Sequence, residues 1–139
     1  MKIVLTRQDS AYHMLATNED GNTVDIDGAE SIGGNNRGFR PMQLMALSAG
    51  SCSSIDIISI LKKQRQPLEN FSVEIEAERE KGKIPSLFTH IHLNYTLDGN
   101  LEEKKVEKAI KLSMEKYCSA IKILEKSAKI TYSYTINRP

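Results

Sequence analysis

The segment between Pro41 and Pro67 most limits what this chain can become. Proline suits a first helical position, where the N–H it lacks has no partner inside the helix. Leu44, Met45, Leu47, Ser48, Ser51, Cys52, Ile55, Ile58 and Leu61 then recur at three- and four-residue intervals, which predicts one long helix over 41–64. Its middle, Ala46 to Ser54, consists of small residues apart from Leu47. Such a stripe lets another helix or backbone approach closely, so this helix should be central and buried. Lys62, Lys63 and Arg65 complement the dipole at its end, and Pro67 stops it.

The flanks carry strand patterns. Lys2–Thr6, Ala11–Ala16 and Thr23–Ile26 read as a β-meander within residues 1–27, with turns at Gln8–Ser10 and Asn18–Asn22. Gly28–Gly38, with its Gly33-Gly34-Asn35-Asn36 run, has no apolar period. It ends in neither Gly-Lys-Ser/Thr nor a GxGxxG turn, so it reads as a connecting loop and not as a phosphate cradle. Residues 70–139 read as a strand pair, a second helix and a last strand. Phe71, Val73, Ile75 and Ala77 alternate with Ser72, Glu74, Glu76 and Glu78, and Ile91, Leu93, Tyr95 and Leu97 repeat the pattern. Asn100 and Glu103 have capping-box spacing, and Leu101, Val106, Ala109, Ile110, Ser113, Met114 and Tyr117 supply an inner stripe leading to Cys118. Ser119–Lys126 suits a short further helix, and Ile130, Tyr132, Tyr134 and Ile136 a closing strand. This order indicates an α+β fold with helices on one side of a sheet, in a single domain over 1–139.

Several function classes drop out. A net charge of +1 lacks the basic footprint of a nucleic-acid binder. The N-terminal apolar run is too short for a signal peptide. Ile55–Leu61, broken by Asp56 and Ser59, falls short of the roughly 20 residues a membrane span needs. A cytoplasmic protein without membrane or nucleic-acid partners is expected. In that reducing setting Cys52 and Cys118 are free, catalytic or redox-sensing rather than a staple, and two cysteines alone are too few for a zinc site. The plain alternative is a pair of small buried hydrophobes. His13, His90 and His92 lack ligand spacing and read as surface residues, and the Glu74–Glu78 carboxylates as a solvated strand face. Ser51, Ser53 and Ser54 have no GxSxG setting. Asp56, one turn beyond Cys52, either orients a cation or, unpaired, raises the thiol pKa.

The run Arg40-Pro41-Met42-Gln43-Leu44 through Ala49-Gly50-Ser51-Cys52 resembles the proline-acid-Leu to small-small-Cys helix of the OsmC/Ohr family. The strand pair, second helix and Cys118 extend the resemblance over nearly the whole chain. The stretch from Met45 to Lys63 is most similar to the family's YhfA-like branch. The resemblance implies an OsmC-like fold of antiparallel sheets packed around two central helices, as an intertwined homodimer. It implies reduction of organic hydroperoxides without a cofactor, with Cys52 the peroxidatic thiolate, Cys118 the resolving thiol and an external dithiol as reductant. Family peroxidases place an acid after the helix proline to hold an arginine from the N-terminal strands. Here Met42 and Gln43 stand at the acid's place, and Ala11–Ile26 contains no arginine. Arg37 and Arg40 are the nearest replacements. In such a dimer a pocket beside Cys52, lined by residues such as Met42, Met45 and Ile55, would suit greasy hydroperoxides. The rival reading keeps the fold and makes the protein a non-catalytic binder of an apolar small molecule between subunits.

Overall fold

Side-chain turns organise the first residues. In the computed structural model, which describes residues 1–139, β1 (Ile3–Arg7), β2 (Met14–Asn18) and β3 (Thr23–Ile26) form an antiparallel sheet in that order. The Asn18 side-chain oxygen accepts the N–H groups of Asp20 and Asn22, and Gly21 takes φ +83° to close the β2–β3 turn. Asp9 acts likewise on the N–H groups of Ala11 and His13. That turn occupies residues expected to be extended, so β2 starts at Met14 and not at Ala11.

These strands belong to the first of two compact units, Met1–Met45 and Ala46–Pro139. The Gly28–Gly38 segment is a loop ordered around one carboxylate. Asp27, 1% exposed, accepts the N–H of Gly28 at 2.7 Å on one oxygen and those of Asn35 and Arg37 at 3.2 and 3.1 Å on the other. A Cβ on Gly34 would fall 1.9 Å from the Gly28 carbonyl oxygen, so this turn admits only glycine. Burial pushes the Asp27 carboxyl up. The N–H groups of Arg37, Gly28 and Asn35, helped by the nearby His13, outweigh it and hold the group below its ordinary 3.8. A carboxyl with a depressed folded-state pKa contributes stability above its unfolded pKa and loses it as pH falls through the folded value. Acid should therefore loosen this loop only below pH 3.8. Asp27→Asn, which lacks the charge and one acceptor oxygen, should lower the melting temperature at neutral pH and flatten its acid dependence. Thermal denaturation between pH 2 and 7 checks both.

Helix α1 (Pro41–Lys63) ends within one residue of the expected position. Gln43 reaches back to cap it, its side-chain oxygen accepting the Arg40 N–H at 2.9 Å. Its buried face is not the stripe expected from the larger apolar residues. Ala46, Ala49, Gly50, Ser53, Ile57 and Leu61 are buried, whereas Met45, Leu47, Ile55 and Ile58 are exposed. Close approach decides this: a Cβ at Gly50 would lie 2.3 Å from Ile75 Cδ1, so the small residues are the ones turned to the sheet. By length and composition α1 could cross a membrane, with mean hydropathy 1.6, which the Ile55–Leu61 run alone does not reveal. In this fold its small-residue face packs on Ile75, and 33% of that apolar window is buried.

The second sheet contains β4 (Asn70–Arg79), β5 (Phe88–Asp98) and β6 (Lys129–Asn137) in that order. β4 and β5 pair antiparallel, but β6 runs parallel to β5, a correction to the expected antiparallel sheets. Parallel neighbours need a crossover connection, and the helices between Gly99 and Ala128 supply it. The registers align Ile75, Leu93 and Tyr132 in one row, and Val73, Tyr95 and Tyr134 in the next. Ile91, Leu93, Tyr95 and Leu97 are fully buried and form the centre of the core with Ile57, Leu61, Val106 and Ile110. On the outer face His90 and His92 both bond the Thr131 hydroxyl, and His92 also meets Ser133. The histidines therefore belong to a polar cross-strand lattice.

Helix α2 (Glu103–Leu112) starts later than Asn100 because its cap comes from elsewhere. Glu102 is the N-cap residue, and Gln66 takes its N–H at 2.8 Å while returning a bond to its carboxylate. α2 continues into a π-helical turn, Ser113–Tyr117, and after Cys118 comes the short α3 (Ser119–Leu124).

Candidate functional site

Cys52 lies at the middle of α1 and is half-buried; Cys118 is fully buried, and both thiols are free. The helix periodicity that places Cys52 also places Asp56 one turn further along the same side. Cys118 arrives from the other direction. It sits in an extended conformation, φ −75° and ψ 102°, between the π-turn and α3, and its sulfur accepts the Ile121 N–H at 3.4 Å. The sulfurs of Cys52 and Cys118 and a carboxylate oxygen of Asp56 all lie within 4.8 Å of one another.

Ser113 positions two members of this cluster at once. The wide turn lets its carbonyl accept the Cys118 N–H at 2.9 Å, while its hydroxyl donates to Asp56 Oδ2 at 3.0 Å. π-turns recur at functional sites because the extra residue per turn re-aims the chain beyond it. The Tyr95 hydroxyl donates to Ser53 Oγ at 2.6 Å, and the Ser53 hydroxyl in turn donates a hydrogen bond to the Ala49 carbonyl at 2.8 Å. Burial holds the Tyr95 phenol up at about 12, so it remains a neutral donor.

Burial also pushes the Cys118 thiol above its ordinary value, and its interaction with the Cys52 sulfur acts in the same direction. The Ile121 N–H only partly offsets them. Cys118 therefore keeps its proton at neutral pH, while Cys52 is the sulfur with access to solvent.

A cleft of about 500 Å³ opens beside the cluster, lined by Asp56, Ser59, Ile60, Lys63, Gln64 and Tyr117 among others. Asp56 thus faces the cleft as well as the sulfurs. The Gln64 side-chain oxygen is buried without a hydrogen-bond partner.

Arg37 and Arg40 lie in the first unit. The Arg40 guanidinium donates to the Gly38 carbonyl at 2.9 Å and to Asn36 Oδ1 at 3.0 Å. Arg37 is held through its backbone N–H by Asp27, and its side chain is exposed. Sequence reasoning singled out Cys52, Cys118 and Asp56, which the fold brings together. It read Ser113 as one more position of an apolar stripe, since no local pattern announces a π-turn. Nor did it connect Tyr95 with Ser53, whose bond spans 42 residues.

Residues 33–133 match the family model described as OsmC-like protein. The chain is 37% identical over 123 residues to Protein YhfA of Escherichia coli strain K12, covering 88% of each chain. Its fold is similar to the crystal structure of a hypothetical protein from Aquifex aeolicus VF5, with TM-score 0.85 and 30% identity over 99% of this chain and 96% of that one. It also resembles an organic hydroperoxide resistance protein OsmC from Legionella pneumophila, with TM-score 0.71 over 97% of both chains. At 16% identity that last likeness concerns the fold alone.

Proposed function

The chain belongs to the OsmC-like protein family, and from that premise we propose that it reduces organic hydroperoxides through Cys52 and Cys118. The observation that carries this reading is the meeting of two free sulfurs and a carboxylate within 4.8 Å, from segments far apart in sequence. Related folds include proteins described as organic hydroperoxide resistance proteins.

The roles follow from exposure. The Cys52 thiolate attacks one oxygen of the peroxide; the O–O bond breaks, the sulfur becomes a sulfenic acid, and the alkoxide takes a proton and leaves as alcohol. The Cys118 thiol then attacks the sulfenic sulfur. Its proton goes to the departing hydroxide, which leaves as water, and a disulfide forms. Asp56, close to both sulfurs, suits the relay of that proton. An external dithiol supplies the two electrons that return the pair to thiols. This setting implies a reducing cytoplasm.

For the cation that would favour the Cys52 thiolate we propose Arg37 ahead of Arg40, whose guanidinium is already engaged within its loop. Gln43, at the place of the family's acid, caps α1 instead. A homodimer accounts for the apolar surface of each unit: Ile3, Val4 and Leu5 on β1, and Ile55 on α1 at 67% exposure. Burial of that α1 face between two copies would also enclose Cys52 in apolar surroundings suited to alkyl hydroperoxides.

The experiment is mass spectrometry of reduced protein after one equivalent of cumene hydroperoxide. Loss of two hydrogens in the wild type, none in Cys52→Ser, and a trapped sulfenic adduct in Cys118→Ser are expected. An unchanged wild-type mass with both thiols still alkylatable after unfolding would refute the proposal. The fold would then serve as a non-catalytic binder of apolar molecules.

A further inference from the structure

We propose that reduced Cys52 and Cys118, together with Asp56, form a three-ligand site for a borderline divalent cation of the zinc type, with a water or anion as fourth ligand. The site stands on geometry alone and holds whether or not the pair reduces peroxides.

The donor set is the first argument. Two cysteines are too few to hold zinc, but the fold adds a carboxylate, and all three ligand atoms lie within 4.8 Å of one another. Ligands about 2.0–2.3 Å from a tetrahedral zinc ion stand roughly 3.5–3.8 Å apart. Closing the present arrangement onto a cation therefore takes adjustments of about 1 Å, within the reach of side-chain torsions. Two thiolates favour zinc over calcium or magnesium, and the carboxylate makes the set less suited to monovalent copper.

The surroundings supply what such a site also needs. Ser113 donates to Asp56 Oδ2 at 3.0 Å, leaving the other carboxylate oxygen for a metal and fixing the group's orientation. Asp56, though neither sulfur, lines the 500 Å³ cleft, so the cleft reaches the site at its carboxylate. Cys118 is anchored through its N–H to Ser113 and through its sulfur by the Ile121 N–H, on a backbone fixed by the π-turn. Binding releases the two thiol protons, so affinity should rise with pH. Occupancy engages both sulfurs at once and so slows their attack on electrophiles.

Cobalt(II) titrated into the fully reduced protein tests the site, because thiolate ligation gives near-ultraviolet charge-transfer bands and tetrahedral geometry gives intense visible ones. We expect both bands, saturating at one cobalt per chain and displaced by zinc. Cys52→Ser, left with one thiolate, should show at most about half the charge-transfer intensity, and Asp56→Asn should weaken binding at least about 10-fold. In the unaltered protein, zinc should slow the alkylation of Cys52, a readout that needs no variant to fold. Absence of thiolate–cobalt bands, undiminished affinity in folded Asp56→Asn, or a Cys52 alkylation rate indifferent to zinc would each overturn the proposal.

Discussion

Serine at position 118 is expected to leave a protein that consumes one equivalent of organic hydroperoxide per chain and then stalls, lowering steady-state consumption by about 100-fold or more. The first step needs only the half-buried Cys52. The second step is the one that fails, because a serine hydroxyl cannot displace hydroxide from a sulfenic sulfur as a thiol does. The stalled sulfenic acid should be trappable by dimedone. Stopped-flow consumption by Cys118→Ser, with a dithiol in excess, separates the two phases. A variant that keeps the wild-type steady-state rate would show that the external thiol reduces Cys52 directly. Cys118 would then be packing, as the plain reading of a buried cysteine holds.

Gly99→Ala should be the most damaging of small substitutions in the second unit. Gly99 takes φ +138° where β5 ends, and its N–H donates to the Asn137 carbonyl at 3.0 Å. A Cβ there would fall 2.2 Å from the Pro67 carbonyl oxygen, so the side chain meets rigid backbone as well as a disfavoured φ. Strain of this kind and overpacking each contribute about 1–3 kcal/mol, so a combined loss of about 3–5 kcal/mol is expected. For a chain of this size that lowers the melting temperature by about 10–15 °C. Gly82→Ala is the control. Gly82 also has positive φ, +68°, but a Cβ would meet nothing within 4 Å, so only the backbone cost of about 1 kcal/mol applies. Equal shifts in the two variants would show that the Pro67 contact yields at no cost.

Local periodicity made most elements legible in the sequence, and the features it missed were non-local. Pro41 and the basic residues before Pro67 bracketed α1 to within one residue. Alternation in β4 and β5 identified strands whose apolar rows do align. The face of α1 was misread because hydrophobicity ranks Leu47 and Ile55 above Gly50, whereas proximity to Ile75 ranks them the other way. The start of α2 was misread because its N-cap, Glu102, is held by Gln66, 36 residues earlier. β6 alternates like an antiparallel strand, and alternation carries no direction; only the crossover length decides that. At the site, Cys52 and Asp56 share a helix, so their adjacency was readable. Cys118 entered through the paired-cysteine pattern, and its approach to them depends on a π-turn that composition does not mark.

The parallel pairing of β6 with β5 also sets an order of events during synthesis. Residues 99–128 must emerge and fold back before Ile130 can meet Ile91. Pairings that close such long intervals form late, since chain entropy must be overcome before contacts compensate it. Cys118 lies inside that interval, so the crossover that makes the parallel pairing possible is also the segment that carries the second sulfur.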